Sequence, residues 1–131
     1  MEQAGRERRL QPRYSADLPC SIALAERDHL FLNERLECRT RDLSESGIGV
    51  VAASIYIGYT CVVDEGRALL ATLELLTGTV EMQATTAHYL RLDAGAREAS
   101  YLVGLRITSM SDAHRALYNS YLEALSKSEQ D

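Results

Sequence analysis

The residues best suited to chemistry lie in the segment 42–47, which reads Asp-Leu-Ser-Glu-Ser-Gly between two strand-like runs. Asp42 supplies a carboxylate and Ser44 a hydroxyl, and residues two apart in an extended segment point to the same side. Gly47 permits a positive φ or a close backbone approach. This spacing predicts a hydrogen-bonding edge for a polar ligand at a strand end. The same residue types also form turns that satisfy their own backbone groups without a ligand, so both interpretations remain open.

A second candidate group lies near the N-terminus, where Arg9 and Arg13 form an Arg-x-x-x-Arg pair before the first predicted strand. Pro12 lies between them and disfavours a regular helix. Guanidinium groups bind anionic oxygens in pairs and stack on planar rings, which lysine does not do. Arg8 precedes the pair and adds a third cation. The alternative interpretation is a solvated basic tail.

Hydrophobic patterning indicates the elements that would position these groups. Residues 1–13 contain almost no apolar side chains and predict a flexible basic segment, followed by a folded domain over 14–127 and a short tail at 128–131. Short alternating runs predict five to seven strands, and a helix is predicted over 113–127. This order predicts an antiparallel barrel or sandwich with a C-terminal helix. The expected inward faces are Leu36, Cys38 and Thr40; Val80, Met82, Ala84, Thr86, His88 and Leu90; and, on the helix, Leu117, Tyr121, Ala124 and Leu125.

Composition argues against several classes of function. The net charge of −5 and the absence of Trp oppose binding to long nucleic acids. The three cysteines are far apart and the histidines are isolated, so neither a metal site nor a catalytic nucleophile is expected. No apolar run has the length of a membrane span and the N-terminus does not resemble a signal peptide, so we expect a cytoplasmic protein without membrane insertion.

Taken together, the two motifs resemble the PilZ domain family. The Arg-x-x-x-Arg pair, a first strand near Leu18 and the Asp-x-Ser-x-x-Gly motif occur here in that family's order, and residues 101–107 resemble its last strand. The resemblance covers about residues 8–125 and implies a six-stranded antiparallel split β-barrel with a C-terminal helix. Ile107 departs from the pattern, because many members have Phe there.

The resemblance also implies a ligand, the bacterial second messenger cyclic di-GMP. By this resemblance Arg9 and Arg13 would contact phosphate and guanine, Asp42 and Ser44 would bind a guanine edge, and Gly47 would shape the turn. Arg8 would favour a second ligand molecule, since the residue before the arginine pair is associated with stoichiometry in this family.

The implied function is that of a non-enzymatic receptor without a further cofactor. It would relay the signal to an unidentified effector protein by ordering its N-terminal segment on the bound ligand. The alternative is a PilZ-like adaptor that acts by protein contact and binds no nucleotide.

Overall fold

The computed structural model describes residues 12–25, 34–92 and 100–130, with the backbone alone for 129 and 130. Nine strands and one helix form within these described ranges. The elements are β1 (Tyr14–Ser15), β2 (Pro19–Leu24), β3 (Leu36–Leu43), β4 (Gly47–Ala52), β5 (Tyr56–Ile57), β6 (Thr60–Cys61), β7 (Leu69–Leu75), β8 (Gly78–Leu92), β9 (Ser100–Met110) and α1 (Asp112–Gln130).

Six of the strands close into an antiparallel barrel. Their order is β3-β2-β7-β8-β9-β4, and the pairing of β3 with β4 joins the two ends. The short strand β1 is an additional strand that pairs with β3 beyond the end of β2. The two short strands β5 and β6 form a separate hairpin. The predicted barrel with a C-terminal helix is therefore confirmed.

Alternating residues fill the barrel interior. Cys20 and Ile22 of β2 face Cys38 of β3 and the buried side chains of β7 and β8. Thr40 is a buried polar residue, and its hydroxyl is fully used: it accepts from the Leu18 amide at 2.9 Å and donates to the Ala16 carbonyl. Buried hydroxyl groups require such partners. Thr40 thereby fixes the connection between β1 and β2 against β3.

Helix α1 packs on the barrel by a face that includes the predicted Leu117, Tyr121 and Leu125 and is centred on Tyr118 and Leu122. Ser111 caps the helix, because its hydroxyl accepts from the His114 amide at 3.1 Å. Tyr118 is fully buried and Leu122 is 8% exposed, whereas Ala124, which was expected to face inward, is exposed. The helix also continues to Gln130, three residues beyond the predicted end at residue 127.

Strand β8 departs from the predicted alternation in its second half. Val80, Met82 and Ala84 are buried as expected, but His88 and Leu90 are exposed. The pairing of β8 with β9 shifts register between Gln83 and Ala84, where the extra residue lies in β9, and again between Thr86 and His88, where the extra residue, Ala87, lies in β8. A bulge inserts an extra residue and changes the direction in which later side chains point. The prediction that His88 is partly buried was therefore wrong.

Candidate functional site

The segment after β3 is a turn closed by its own residues. The Ser44 hydroxyl accepts from the Gly47 amide at 3.1 Å and donates to the Gly47 carbonyl at 3.2 Å, while the Ser44 amide donates to the same carbonyl at 2.9 Å. Ser44 is 6% exposed, whereas the side chain of Asp42 is 28% exposed. The two side chains do not share one exposed edge as their spacing predicts, because β3 ends at Leu43 and Ser44 already belongs to the turn.

Gly47 begins β4 and provides a close backbone approach. A Cβ atom at this position would lie 2.7 Å from the backbone oxygen of Leu105 in β9. The positive φ angles among described glycines occur at Gly58, Gly66 and Gly78, so Gly47 is not required for a left-handed turn. The sequence left open whether Gly47 serves a positive φ angle or a close backbone approach, and the structure shows the close approach.

Strand β1 brings the first described arginine to Asp42. Ser15 pairs with Asp42 in the register of β1 on β3, and Arg13 lies just before β1. The Arg13 Nη1 atom is 3.6 Å from Asp42 Oδ1, and the two side chains are 59% and 28% exposed. The structure thus joins one residue from each sequence motif. Arg8 and Arg9 lie outside the described residues.

Two glycines that the sequence interpretation did not assign form the surface next to Asp42. Gly49 pairs with Asp42 on one side and with Gly104 on the other, and we call Gly49 and Gly104 the glycine floor. A Cβ atom on Gly49 would lie 2.7 Å from Asp42 Oδ1. A Cβ atom on Gly104 would lie 2.5 Å from Nε2 of His88, which pairs with Gly104 from β8. A carboxylate and an imidazole therefore lie over the floor from opposite sides.

Helix α1 is hydrogen-bonded to the turn that follows β3. The Tyr118 hydroxyl donates to the Ser44 carbonyl at 2.6 Å, and Arg115 Nη1 donates to the Glu45 carbonyl at 3.1 Å. Arg115 also lies 5.9 Å from the centroid of the Tyr118 ring. Burial raises the pKa of Tyr118, which keeps its hydroxyl protonated as a donor. The conformation of the turn is therefore connected to the position of the helix.

A cavity of about 430 Å³ lies beside this connection. Pro12 and Tyr14 line it from the N-terminal side, Glu45 from the turn, and Leu122 and Glu123 from helix α1. The chain that carries the predicted arginine motif thus enters the described structure between the turn and the helix.

Among the described residues, no group of three or more His, Cys, Asp or Glu side chains is arranged to hold a metal ion. Cys20 and Cys38 face each other across β2 and β3, and the hydrogen bond with Cys38 together with burial raises the pKa of Cys20. A thiol with a raised pKa is a poor nucleophile. None of the described helices combines the length and apolar character needed to cross a membrane.

Comparison with known families decides what kind of domain this is. The PilZ domain matches residues 7–124, which include both motifs and all of the barrel. The chain belongs to the PilZ domain family. A comparison with curated proteins gave no match. Known PilZ domains serve in receptors and adaptors rather than as enzymes.

Solved structures with the same fold include several PilZ proteins. The PilZ domain of Escherichia coli YcgR, solved with c-di-GMP, is 17% identical with a TM-score of 0.67, and the match covers 94% of this chain and 95% of that one. The Bacillus subtilis inhibitor of motility MotI is 16% identical with a TM-score of 0.66, covering 92% and 52%. K. pneumonia MrkH in its apo state is 14% identical with a TM-score of 0.71, covering 92% and 51%. This PilZ chain therefore spans about half the length of MotI and MrkH.

Proposed function

We propose that this PilZ domain is a receptor for cyclic di-GMP. The observation that carries the proposal is the pairing of Arg13 with Asp42, whose carboxylate lies beside Gly49, because it unites the two sequence motifs at one place on the barrel surface. The neighbouring structures support it, since YcgR was solved with c-di-GMP and MrkH is described as a c-di-GMP-dependent transcription regulatory factor.

The chemistry of these side chains suits the ligand. Arginine donates in bidentate fashion to phosphate or to guanine O6 and N7, and its plane stacks on purines. The Asp42 carboxylate accepts hydrogen bonds and is matched to guanine N1–H and N2–H. Gly49 lets this carboxylate lie close to the strand backbone. Arg8 and Arg9 would complete the cationic side of the site, and a direct contact from Ser44 to guanine stays a prediction.

The same proposal includes a relay to a partner protein. Binding would draw the arginine-containing segment before Pro12 onto the barrel, next to the cavity between the turn and helix α1. Tyr118 and Arg115 connect this turn to the helix. The surface shown to an effector protein would then be the ordered segment together with helix α1. A segment that orders on binding carries an entropic cost and changes the exposed surface at the same time.

Calorimetric titration with cyclic di-GMP tests the receptor proposal. We expect saturable binding by the wild type. In Arg13→Ala the binding free energy should become weaker by several kcal/mol, since each hydrogen bond to a charged group contributes about 1.5–3 kcal/mol. Asp42→Ala should also weaken binding while the melting temperature stays near that of the wild type, because the ion pair it removes lies at the surface with Arg13 more than half exposed.

The chain supplies a matched control for both variants. Arg39 pairs with Asp17 at 2.6 Å, and both side chains are more than half exposed. Arg39→Ala removes one positive charge, as Arg13→Ala does, and Asp17→Ala removes one negative charge, as Asp42→Ala does. Neither residue belongs to the two motifs, so both variants should bind like the wild type. A wild-type protein that binds no cyclic di-GMP would favour the adaptor alternative. Equal losses in the control pair would show that general charge, not the motif, determines affinity.

A further inference from the structure

A second cavity, of about 610 Å³, lies on the outer face of the barrel beyond the glycine floor. His88 lines it and also lies over Gly104, so the cavity adjoins the floor on the side away from Asp42. Glu65, from the connection between β6 and β7, and Arg106 of β9 line it as well. None of these three residues belongs to the two sequence motifs.

The charged residues of this cavity are available to a ligand. Arg106 lies two residues from Gly104 on β9, so both face the outer side, and it pairs in register with Gly47. Arg106 and Glu65 are both exposed, and neither makes an ion pair with another residue in the described ranges. An arginine, a carboxylate and an imidazole therefore surround a space large enough for a nucleobase.

These three groups match the edges of guanine. Guanine presents the O6 and N7 acceptors on one edge, which a guanidinium binds in bidentate fashion. It presents N1–H and N2–H donors on the adjacent edge, which a carboxylate accepts. An aromatic ring such as imidazole stacks on the base. The geometry points to a second guanine subsite in which Arg106 and Glu65 read these two edges and His88 packs against the ring. This inference rests on the proposed function.

The separation of the two subsites follows from the register. Asp42, Gly49, Gly104 and His88 lie in one row across β3, β4, β9 and β8. Three spacings between neighbouring strands separate the backbones of Asp42 and His88 by about 14 Å, although both side chains lean over the glycine floor. A base bound by Arg106 and Glu65, in the cavity on the other side of His88, is thus distinct from the base at Asp42. It comes either from the other half of the same cyclic dinucleotide or from a second molecule.

Titration of cyclic di-GMP into Arg106→Ala, Glu65→Ala and His88→Ala tests the subsite. If one molecule binds per chain, we expect Arg106→Ala and Glu65→Ala each to lower affinity about tenfold, the loss typical for one specific arginine–guanine or carboxylate contact. If two molecules bind, the same variants should lose the second binding event and keep the first. His88→Ala should lower affinity in the same way but by a smaller factor. One ligand per chain would mean that the base comes from the same cyclic dinucleotide, and two would mean that it comes from a second molecule.

Matched controls are Arg91→Ala on the same strand as His88 and Glu74→Ala on β7, which remove the same charges outside the cavity. Both should bind like the wild type. Wild-type affinity and stoichiometry in either Arg106→Ala or Glu65→Ala overturn the second subsite. If Arg13→Ala has meanwhile abolished binding, the receptor proposal survives that result. A wild-type protein that binds no cyclic di-GMP overturns both.

Discussion

Replacing Gly49 by Ala changes the position of the Asp42 carboxylate with little other disturbance. The new Cβ atom would lie 2.7 Å from Asp42 Oδ1, against an ordinary closest contact of 3.4 Å, so the carboxylate must move by about 0.7 Å. Gly49 lies within strand β4 and is not among the glycines with positive φ. Alanine therefore meets no backbone strain there, and the atom that must yield belongs to a partly exposed side chain.

The expected magnitudes separate binding from stability. The displaced carboxylate loses its alignment with the ligand, and a hydrogen bond to a charged group contributes about 1.5–3 kcal/mol, or about 10- to 150-fold in affinity. The exposed ion pair between Arg13 and Asp42 contributes at most about 1 kcal/mol to stability. Gly49→Ala should therefore bind cyclic di-GMP far more weakly while its urea unfolding midpoint stays near that of the wild type.

Gly47→Ala provides the contrasting measurement. Its Cβ atom would lie 2.7 Å from the Leu105 backbone oxygen, which the pairing of β4 with β9 holds in place. No side-chain rotation relieves this contact, and overpacking of this kind costs about 1–3 kcal/mol. We expect Gly47→Ala to lower the free energy of unfolding, which Gly49→Ala should not do.

A double-mutant cycle identifies the cause of the effect at Gly49. If the substitution acts through Asp42, then Gly49→Ala should cause no further loss of affinity in an Asp42→Ala background. Wild-type affinity in Gly49→Ala would refute the role assigned to the glycine floor. Additive losses in the double variant would show that Gly49 contacts the ligand independently of the carboxylate.

Two further predictions concern the helix and the N-terminal segment. Tyr118→Phe should lower the free energy of unfolding by about 1–3 kcal/mol, because the Ser44 carbonyl loses its buried donor. Since burial raises the pKa of Tyr118, the wild type should lose this advantage as pH rises above about 10, where an unfolded tyrosine ionises; a difference between variant and wild type that stays constant up to about pH 11 would contradict this. Amide exchange in residues 1–11 should slow when cyclic di-GMP saturates the protein, and unchanged exchange would count against the proposed relay.

The barrel was predictable because strand alternation is a local property. Cys38 and Thr40 face inward as their spacing indicates, since the residues of β3 follow one another without interruption up to Thr40. The helix face was harder to predict. Tyr118 is fully buried because its hydroxyl finds an acceptor at Ser44, far away in the sequence. A helical pattern of apolar residues contains no signal for that partner.

The glycine floor was not predictable for a related reason. Gly49 and Gly104 become neighbours only through the register of β4 on β9, and the register shift between Thr86 and His88 brings His88 to the outer face. If the register of β4 on β9 or the position of the bulge in β8 changed by one residue, other side chains would lie next to Asp42. The sequence motif thus indicated Arg13 and Asp42, while the surface that supports them depends on lateral pairing that no single segment encodes.

The pairing of β4 with β9 also has a consequence for the synthesis of the protein. Gly49 of the proposed ligand surface is covered on one side by β3, but its other neighbour, Gly104, lies in the last strand. During translation the first half of the surface leaves the ribosome long before the second. A nascent chain therefore cannot assemble the proposed ligand surface until β9 has emerged.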